Sequence, residues 1–261
     1  MIKLIKGDAP AYLSEEKVKE LIGRYEATNK SVWLRKGITN PLKITSHGKC
    51  AYCEKRVDGN GSYMEVDHFK CKGKYSELVV DWSNLVPSCK QCNTKKGDID
   101  VEEQQIVNPY FDNPSEHLRY QSLRIVGITE KGNETVELFG YNLSDVDARK
   151  ARLIILEKID DMLGKGIEYH ELYINFEKKK KIYLTKAKNV ISGLLSLCQP
   201  DAEYSAITST LLLLNPKCSQ LIEIMRSEGV WDLSIEDRLK IAIESSFPVI
   251  RDEYSLVKLA S

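Results

Sequence analysis

Cys50-Ala-Tyr-Cys53 and Cys89-Lys-Gln-Cys92 bracket Glu65-Val-Asp67-His68 and Asn84, and Asn93 follows the last cysteine directly. Thiolates at i and i+3 reach one ion because a tight turn between them brings both sulfurs to one side. Two such turns make the closed four-thiolate site usual for structural zinc. Cys50 and Cys53 are expected to form one half and Cys89 and Cys92 the other, with one Zn²⁺ per chain. Protein fills all four positions, so this metal is expected to fix the fold and not to activate water. Four unrelated buried cysteines are the plainer reading, and a redox Cys-x-x-Cys leaves the second pair unexplained. Between the halves stand an imidazole, a carboxylate and one amide, and a second amide follows directly. Phosphodiester hydrolysis needs a base for water, a cation for the developing charge and a partner to hold the base in line.

The elements that must position these groups are short. Tyr63 to Phe69 reads as a strand, Asp81 to Val86 as a second strand, and Lys90 to Lys96 as the start of a helix. Asp67 and His68 are neighbours, which in a regular strand point to opposite faces. Both serving one site therefore predicts a departure from regular strand geometry there, helped by the loop Lys70 to Tyr75 with Gly73. Asn84 has an alternative as a turn residue, and Asn93 as a helix cap. Glu65 reads as a strand surface residue within reach of the site's outer shell. His47, His117 and His170 have no such company and read as structural or exposed.

In this order the segment resembles the HNH endonuclease family, whose ββα-metal fold has a general-base His after an Asp, a middle Asn, and a third His or Asn. His68, Asn84 and Asn93 match those positions in turn. The resemblance implies that His68 takes the proton from water, that Asp67 and Asn93 ligate a catalytic Mg²⁺ (or Mn²⁺), and that Asn84 orients His68 through its backbone. An amide oxygen at the third position favours a hard ion. The products implied carry a 5′ phosphate and a 3′ hydroxyl. From Lys49 to Gly97 there are nine Lys/Arg and six Asp/Glu, a difference of plus three. Lys70, Lys72 and Lys74 in the loop, with Lys95 and Lys96 in the helix, are the expected phosphate contacts.

Around this segment the chain reads as mainly helical, giving an α+β class with a zinc-stabilised ββα-metal module embedded in it. Three regions are expected: 1–46 helical, 47–112 the nuclease module, and 113–261 a β-hairpin followed by a helical body. Ser14 with Glu15-Glu16 predicts a helix over 14–35, then a polar connector over 36–48. Leu118 to Ile128 and Thr135 to Phe139 alternate as two strands joined through Lys131-Gly132-Asn133. Ser144-x-x-Asp147 predicts a helix running to Gly164, with further helices near 167–197, 201–214, 216–228 and 234–246. The run Glu177 to Lys181 reads as a solvated helix face or a phosphate-contacting edge.

Composition bounds the partners. Of 261 residues 42% are apolar and 29% charged, ordinary for a soluble chain. The net charge of zero means that attraction to nucleic acid must come from a local patch. No apolar leader follows Met1 and no aliphatic run nears a bilayer span, so a cytoplasmic protein without membrane contact is expected. Cys71, Cys198 and Cys218 read as reduced, buried thiols.

Met1-Ile-Lys-Leu-Ile-Lys with Pro10 and Leu13, Asn108-Pro109, Asp112-Asn113-Pro114, Glu116-His117-Leu118, and Gly140-Tyr-Asn-Leu143 with Arg149 widen the resemblance. Together they are similar to the HNH subunits, called PtuB, of Septu-type and retron-associated anti-phage systems. That resemblance implies a bacterial DNA-cutting effector held by an ABC/SMC-like ATPase (PtuA-like), docked on the helical body. In the retron-associated form it implies a reverse transcriptase and its msDNA as well. The chain has no Walker A pattern, so nucleotide control must come from the partner. An RNase cutting tRNA or another structured RNA, and a non-catalytic zinc module that binds nucleic acid or a partner, are the competing expectations.

Overall fold

The fold is that of a computed structural model describing residues 1–59, 62–143, 147–176 and 180–248. Its elements run α1 (Glu15–Thr28), α2 (Lys36–Thr45), β1 (Asp58–Gly59), β2 (Ser62–Tyr63), β3 (Glu65–His68), β4 (Leu85–Ser88), α3 (Lys90–Lys96) and α4 (Pro114–His117). Then follow β5 (Leu118–Gln121), β6 (Arg124–Gly127), α5 (Glu130–Phe139), α6 (Asp147–Asn175), α7 (Lys180–Ser196), α8 (Ser205–Leu214), α9 (Pro216–Ser227) and α10 (Leu233–Ser245). By contacts the chain divides into two compact units, Met1–Leu118 with Ile125–Asn142, and Arg119–Arg124 with Leu143–Ser261.

In the first unit Ser14 caps α1, accepting from the Lys17 N–H, and Asn29 ends it in the left-handed region at φ 52°. The connector expected over 36–48 is in fact mostly helix. Ile38 and Leu42, one turn apart, are fully buried, and their burial outweighs the hydrogen bond lost at Pro41 inside α2. These two join Leu21, Tyr25, Val32, Trp33, Val66, Val79, Val80, Trp82 and Leu85 in one apolar core. That core backs the antiparallel pair β3–β4, with Asp67 opposite Val86 and His68 opposite Leu85.

The second strand begins later than its sequence pattern predicts. Asp81 caps a 3₁₀ turn over Trp82–Asn84 by accepting from the Ser83 and Asn84 N–H groups, so extended backbone starts at Leu85. Lys90–Lys96 is helical as expected, opened by the Cys89 side chain accepting from the Cys92 N–H.

Thr135 to Phe139 is helix, not strand. The hairpin closes within 118–127, and Thr129 caps α5. Thr135 and Phe139, spaced i and i+4, face inward with Gly132. Gly132 is therefore no turn residue: a Cβ there would lie 2.1 Å from the His117 carbonyl oxygen, so glycine is what lets α5 approach that backbone.

In the second unit α6 runs straight through Gly164 to Asn175, where two helices were expected. A Cβ at Gly166 would stand 2.7 Å from Leu221 and 3.2 Å from Val190, so the glycine there permits close packing with α7 and α9. Asn215 with Pro216 opens α9, and Asp232 caps α10. Every residue of α8 from Ser205 to Leu212 is buried, and α6, α9 and α10 pack on this central helix. Ser144 of the expected cap, and part of the Glu177–Lys181 run, lie outside the described residues. No described helix is long and apolar enough to cross a membrane.

Candidate active site and thiolate centre

The two Cys-x-x-Cys turns meet. The Sγ atoms of Cys50, Cys53, Cys89 and Cys92 all lie within 4.8 Å of one another, and those of Cys53 and Cys89 are 3.7 Å apart. Tetrahedral zinc with sulfur ligands at about 2.3 Å sets its sulfurs roughly 3.8 Å apart, so the four residues fit that ion. Hydrogen bonding among the thiols, Cys50 first, holds Cys53 and Cys92 well above the ordinary thiol range and draws Cys89 down. Cys71, Cys198 and Cys218 are buried free thiols.

A cleft of about 590 Å³ opens beside this centre, and Asp67, His68 and Asn93 all line it, with Glu65, Trp33, Lys72, Lys90 and Asp98. Contrary to the expected break in strand geometry, Asp67 and His68 both remain in β3. Their side chains part: Asp67 turns to groups of the thiolate segment and His68 to the apolar core.

His68 Nε2 lies 2.9 Å from the Val79 carbonyl oxygen. A carbonyl only accepts, so Nε2 carries the proton and Nδ1 keeps its lone pair in the neutral ring. Nδ1 has no hydrogen-bond partner among the described residues. Trp33 meets the ring edge-on, with centroids 4.6 Å apart at 84°. Burial pulls the imidazole pKa below its ordinary value, against the raising effects of the Val79 carbonyl and Asp67. The ring is thus a neutral base near pH 7.

Asn84 does not orient His68 through its own carbonyl, as the resemblance implied. That carbonyl takes the Phe69 N–H at 2.9 Å. The Asn84 side chain clamps the loop instead, accepting from the Lys70 N–H at 2.7 Å and donating to the carbonyls of Lys70 at 3.1 Å and Leu78 at 3.2 Å. Leu78 precedes Val79, so Asn84 fixes the carbonyl that fixes His68.

Both oxygens of Asp67 are held. Tyr52 donates its hydroxyl to Oδ2 at 2.5 Å, and Lys96 places Nζ 3.1 Å from Oδ1 and 2.7 Å from the His68 carbonyl. Burial pushes the Tyr52 phenol well above its ordinary pKa, so it stays a donor. Asn93 donates Nδ2 to Glu65 at 2.7 Å, while its Oδ1 has no hydrogen-bond partner among the described residues. Glu65 thereby anchors Asn93. A carboxylate and an amide oxygen are a sparse protein ligand set, which suits an ion such as Mg²⁺ that keeps several waters.

The expected phosphate lysines fare unequally. Lys96 has no solvent exposure and is spent on Asp67, so it leaves that set. Lys95 donates to the Phe139 carbonyl at 3.0 Å. Lys70 pairs with Glu102 at 2.6 Å, Lys72 with Asp98 at 3.7 Å, and Lys74 with Asp100 and Glu103. The positive excess counted to Gly97 is thus faced by acids just beyond the counted segment. His117 meets the Thr129 hydroxyl at 2.8 Å and His170 meets Glu228 at 3.3 Å, and neither lines the cleft.

Residues that sequence reasoning missed are Tyr52, Val79 and Trp33, with Lys96 given the wrong role. Lys96 carried a signal: it follows Cys92 by one helical turn and so shares the face of an expected metal ligand.

Residues 50–98 match the family described as HNH endonuclease. The chain is 36% identical over 236 residues to the Septu protein PtuB of Bacillus thuringiensis, covering 89% of this chain and 90% of that one. It is 26% identical over 203 residues to the Septu protein PtuB of Bacillus mycoides (strain KBAB4), covering 64% and 68%. Protein ea31 of Escherichia phage lambda is 35% identical over 74 residues, covering 27% of this chain and 24% of its own. No solved structure matches.

Proposed function

The chain belongs to the Septu PtuB family of HNH-domain proteins, and from that premise we propose a metal-dependent endonuclease that hydrolyses DNA phosphodiester bonds. It acts in the bacterial cytoplasm as the effector of an anti-phage system, with an ABC/SMC-like ATPase docked on the helical second unit. The observation that carries this reading is the His68 tautomer: a neutral ring whose Nε2–H is fixed by Val79 leaves Nδ1 to take a proton, in one cleft with Asp67 and Asn93.

In the mechanism, His68 Nδ1 accepts a proton from the attacking water. Val79, held by the Asn84 clamp, and Trp33 keep the ring in line. Asp67 Oδ and Asn93 Oδ1 are the oxygens that would hold Mg²⁺. When bound, that ion supplies Lewis-acid stabilisation of the phosphate charge and of the leaving 3′ oxygen. Tyr52, Lys96 and Glu65 fix those two ligand residues before substrate arrives. The four thiolates would hold structural Zn²⁺ and take no part in proton transfer.

The test is purified protein, alone and with its partner ATPase, on supercoiled plasmid and on total tRNA, with Mg²⁺ or EDTA. Mg²⁺-dependent plasmid nicking, abolished by His68→Ala with zinc content intact, is the expected result. Cutting confined to tRNA turns the reading to an RNase effector. Binding without cutting of either, with the partner present, makes the chain a non-catalytic module.

A further inference from the structure

Tyr52 sits inside the Cys50-x-x-Cys53 turn and is fixed at three points. Its ring stacks on Phe139 with centroids 4.5 Å apart, and its carbonyl accepts from the Tyr141 hydroxyl at 2.8 Å. The preceding Ala51 N–H donates to the Pro87 carbonyl at 2.9 Å, tying the turn to β4. The side chain is fully buried, and its one polar atom donates to Asp67. The other oxygen of Asp67 is held by Lys96, on the helix that carries Cys92. Each half of the thiolate centre therefore delivers one donor to the same carboxylate.

We propose that Tyr52 is a positioning residue for Asp67, so that the thiolate centre and the orientation of the cation-binding carboxylate form one mechanical unit. The proposal rests on the reading of Asp67 as a cation ligand given above. A carboxylate offers roughly four lone-pair positions, of which Tyr52 and Lys96 use one on each oxygen. With both bonds made, rotation about Cβ–Cγ is blocked and the remaining lone pairs keep fixed directions. Without the phenol hydroxyl, Lys96 alone is a pivot rather than a clamp. Phenylalanine at this position keeps the ring stacked on Phe139 and removes only the donor.

The experiment compares parent, Tyr52→Phe, Asp67→Asn and the double variant as full-length, zinc-loaded protein. Mn²⁺ binding is read by electron paramagnetic resonance, and zinc is counted separately by colorimetric release. Tyr52→Phe is expected to weaken Mn²⁺ on the order of tenfold, the scale for losing an outer-shell partner of a metal ligand, with zinc unchanged. In the Asp67→Asn background the same substitution is expected to add nothing. Plasmid nicking should need correspondingly more Mn²⁺ at an unchanged KM for DNA. Parent-like Mn²⁺ binding by Tyr52→Phe, beside weakened binding by Asp67→Asn, overturns the proposal alone. Undiminished binding by Asp67→Asn removes the cation-ligand reading and the proposal with it.

Discussion

The ammonium of Lys96 stands 3.1 Å from the Asp67 carboxylate, with both side chains out of solvent and the same ammonium bound to the His68 carbonyl. One buried charge thus fixes a side chain and the backbone beside it. Removing a single partner of such a pair leaves an uncompensated buried charge, which costs about 3–5 kcal/mol. Lys96→Met should lose that much in urea unfolding of zinc-loaded protein. The Lys96→Met/Asp67→Asn pair should recover part of it, because the orphaned charge is gone. A loss under about 1 kcal/mol for Lys96→Met is the size of an exposed pair and would contradict the buried bridge.

His68 gives the protein a pH signature. Its folded pKa is depressed below the unfolded value near 6.5, chiefly by burial. A depressed pKa means that the unfolded chain binds the proton more readily. The contribution to stability is therefore present above pH 6.5 and is lost as pH falls through the folded value. Activity follows the neutral ring, so the acid limb of kcat/KM, which reports the free enzyme, should have its midpoint below pH 6.5. NMR titration of the His68 ring in the free protein checks the assignment. A midpoint above 6.5 would mean that another group sets the limb.

Asn84 is predicted to act on rate through the loop and not through the cation. Asn84→Ala removes three hydrogen bonds, at about 1 kcal/mol each. It frees the loop that presents the Val79 carbonyl, and the misplaced imidazole should lower kcat on the order of 100-fold. Mn²⁺ affinity and zinc content should stay at parent values. Weakened Mn²⁺ binding by this variant would place Asn84 at the metal instead.

How far the sequence was legible depends on the range of the interaction. The four thiolates are readable because two tight turns fix their local geometry, and the chain brings them together. Ser14 and Lys90–Lys96 are legible for the same local reason. Gly132 and Gly164 were misread because glycine marks turns but also sits inside helices, and at Gly132 only the distant His117 carbonyl decides which. The orienter of His68 lies eleven residues away, and a backbone carbonyl at Val79 leaves no trace in residue type.

The acids at 98–103 set the last prediction. Lys70 and Lys72 face Glu102 and Asp98, and Lys74 faces Asp100 and Glu103, with every side chain but that of Asp100 exposed. Each pair occupies an ammonium that a phosphate backbone would otherwise take, and its carboxylate repels that backbone. Asp98→Asn with Glu102→Gln and Glu103→Gln removes that repulsion. Asp100 is kept, because its Oδ1 takes the Tyr75 hydroxyl at 3.0 Å and the Glu102 N–H at 3.1 Å. The triple variant should bind duplex DNA more tightly at 150 mM salt. Its plot of log K against log salt should steepen by up to about 1.8, two phosphate contacts at roughly 0.9 each. The measurement is fluorescence anisotropy over a salt series with EDTA present to prevent cutting. An unchanged slope would show that Lys70 and Lys72 do not meet the phosphates.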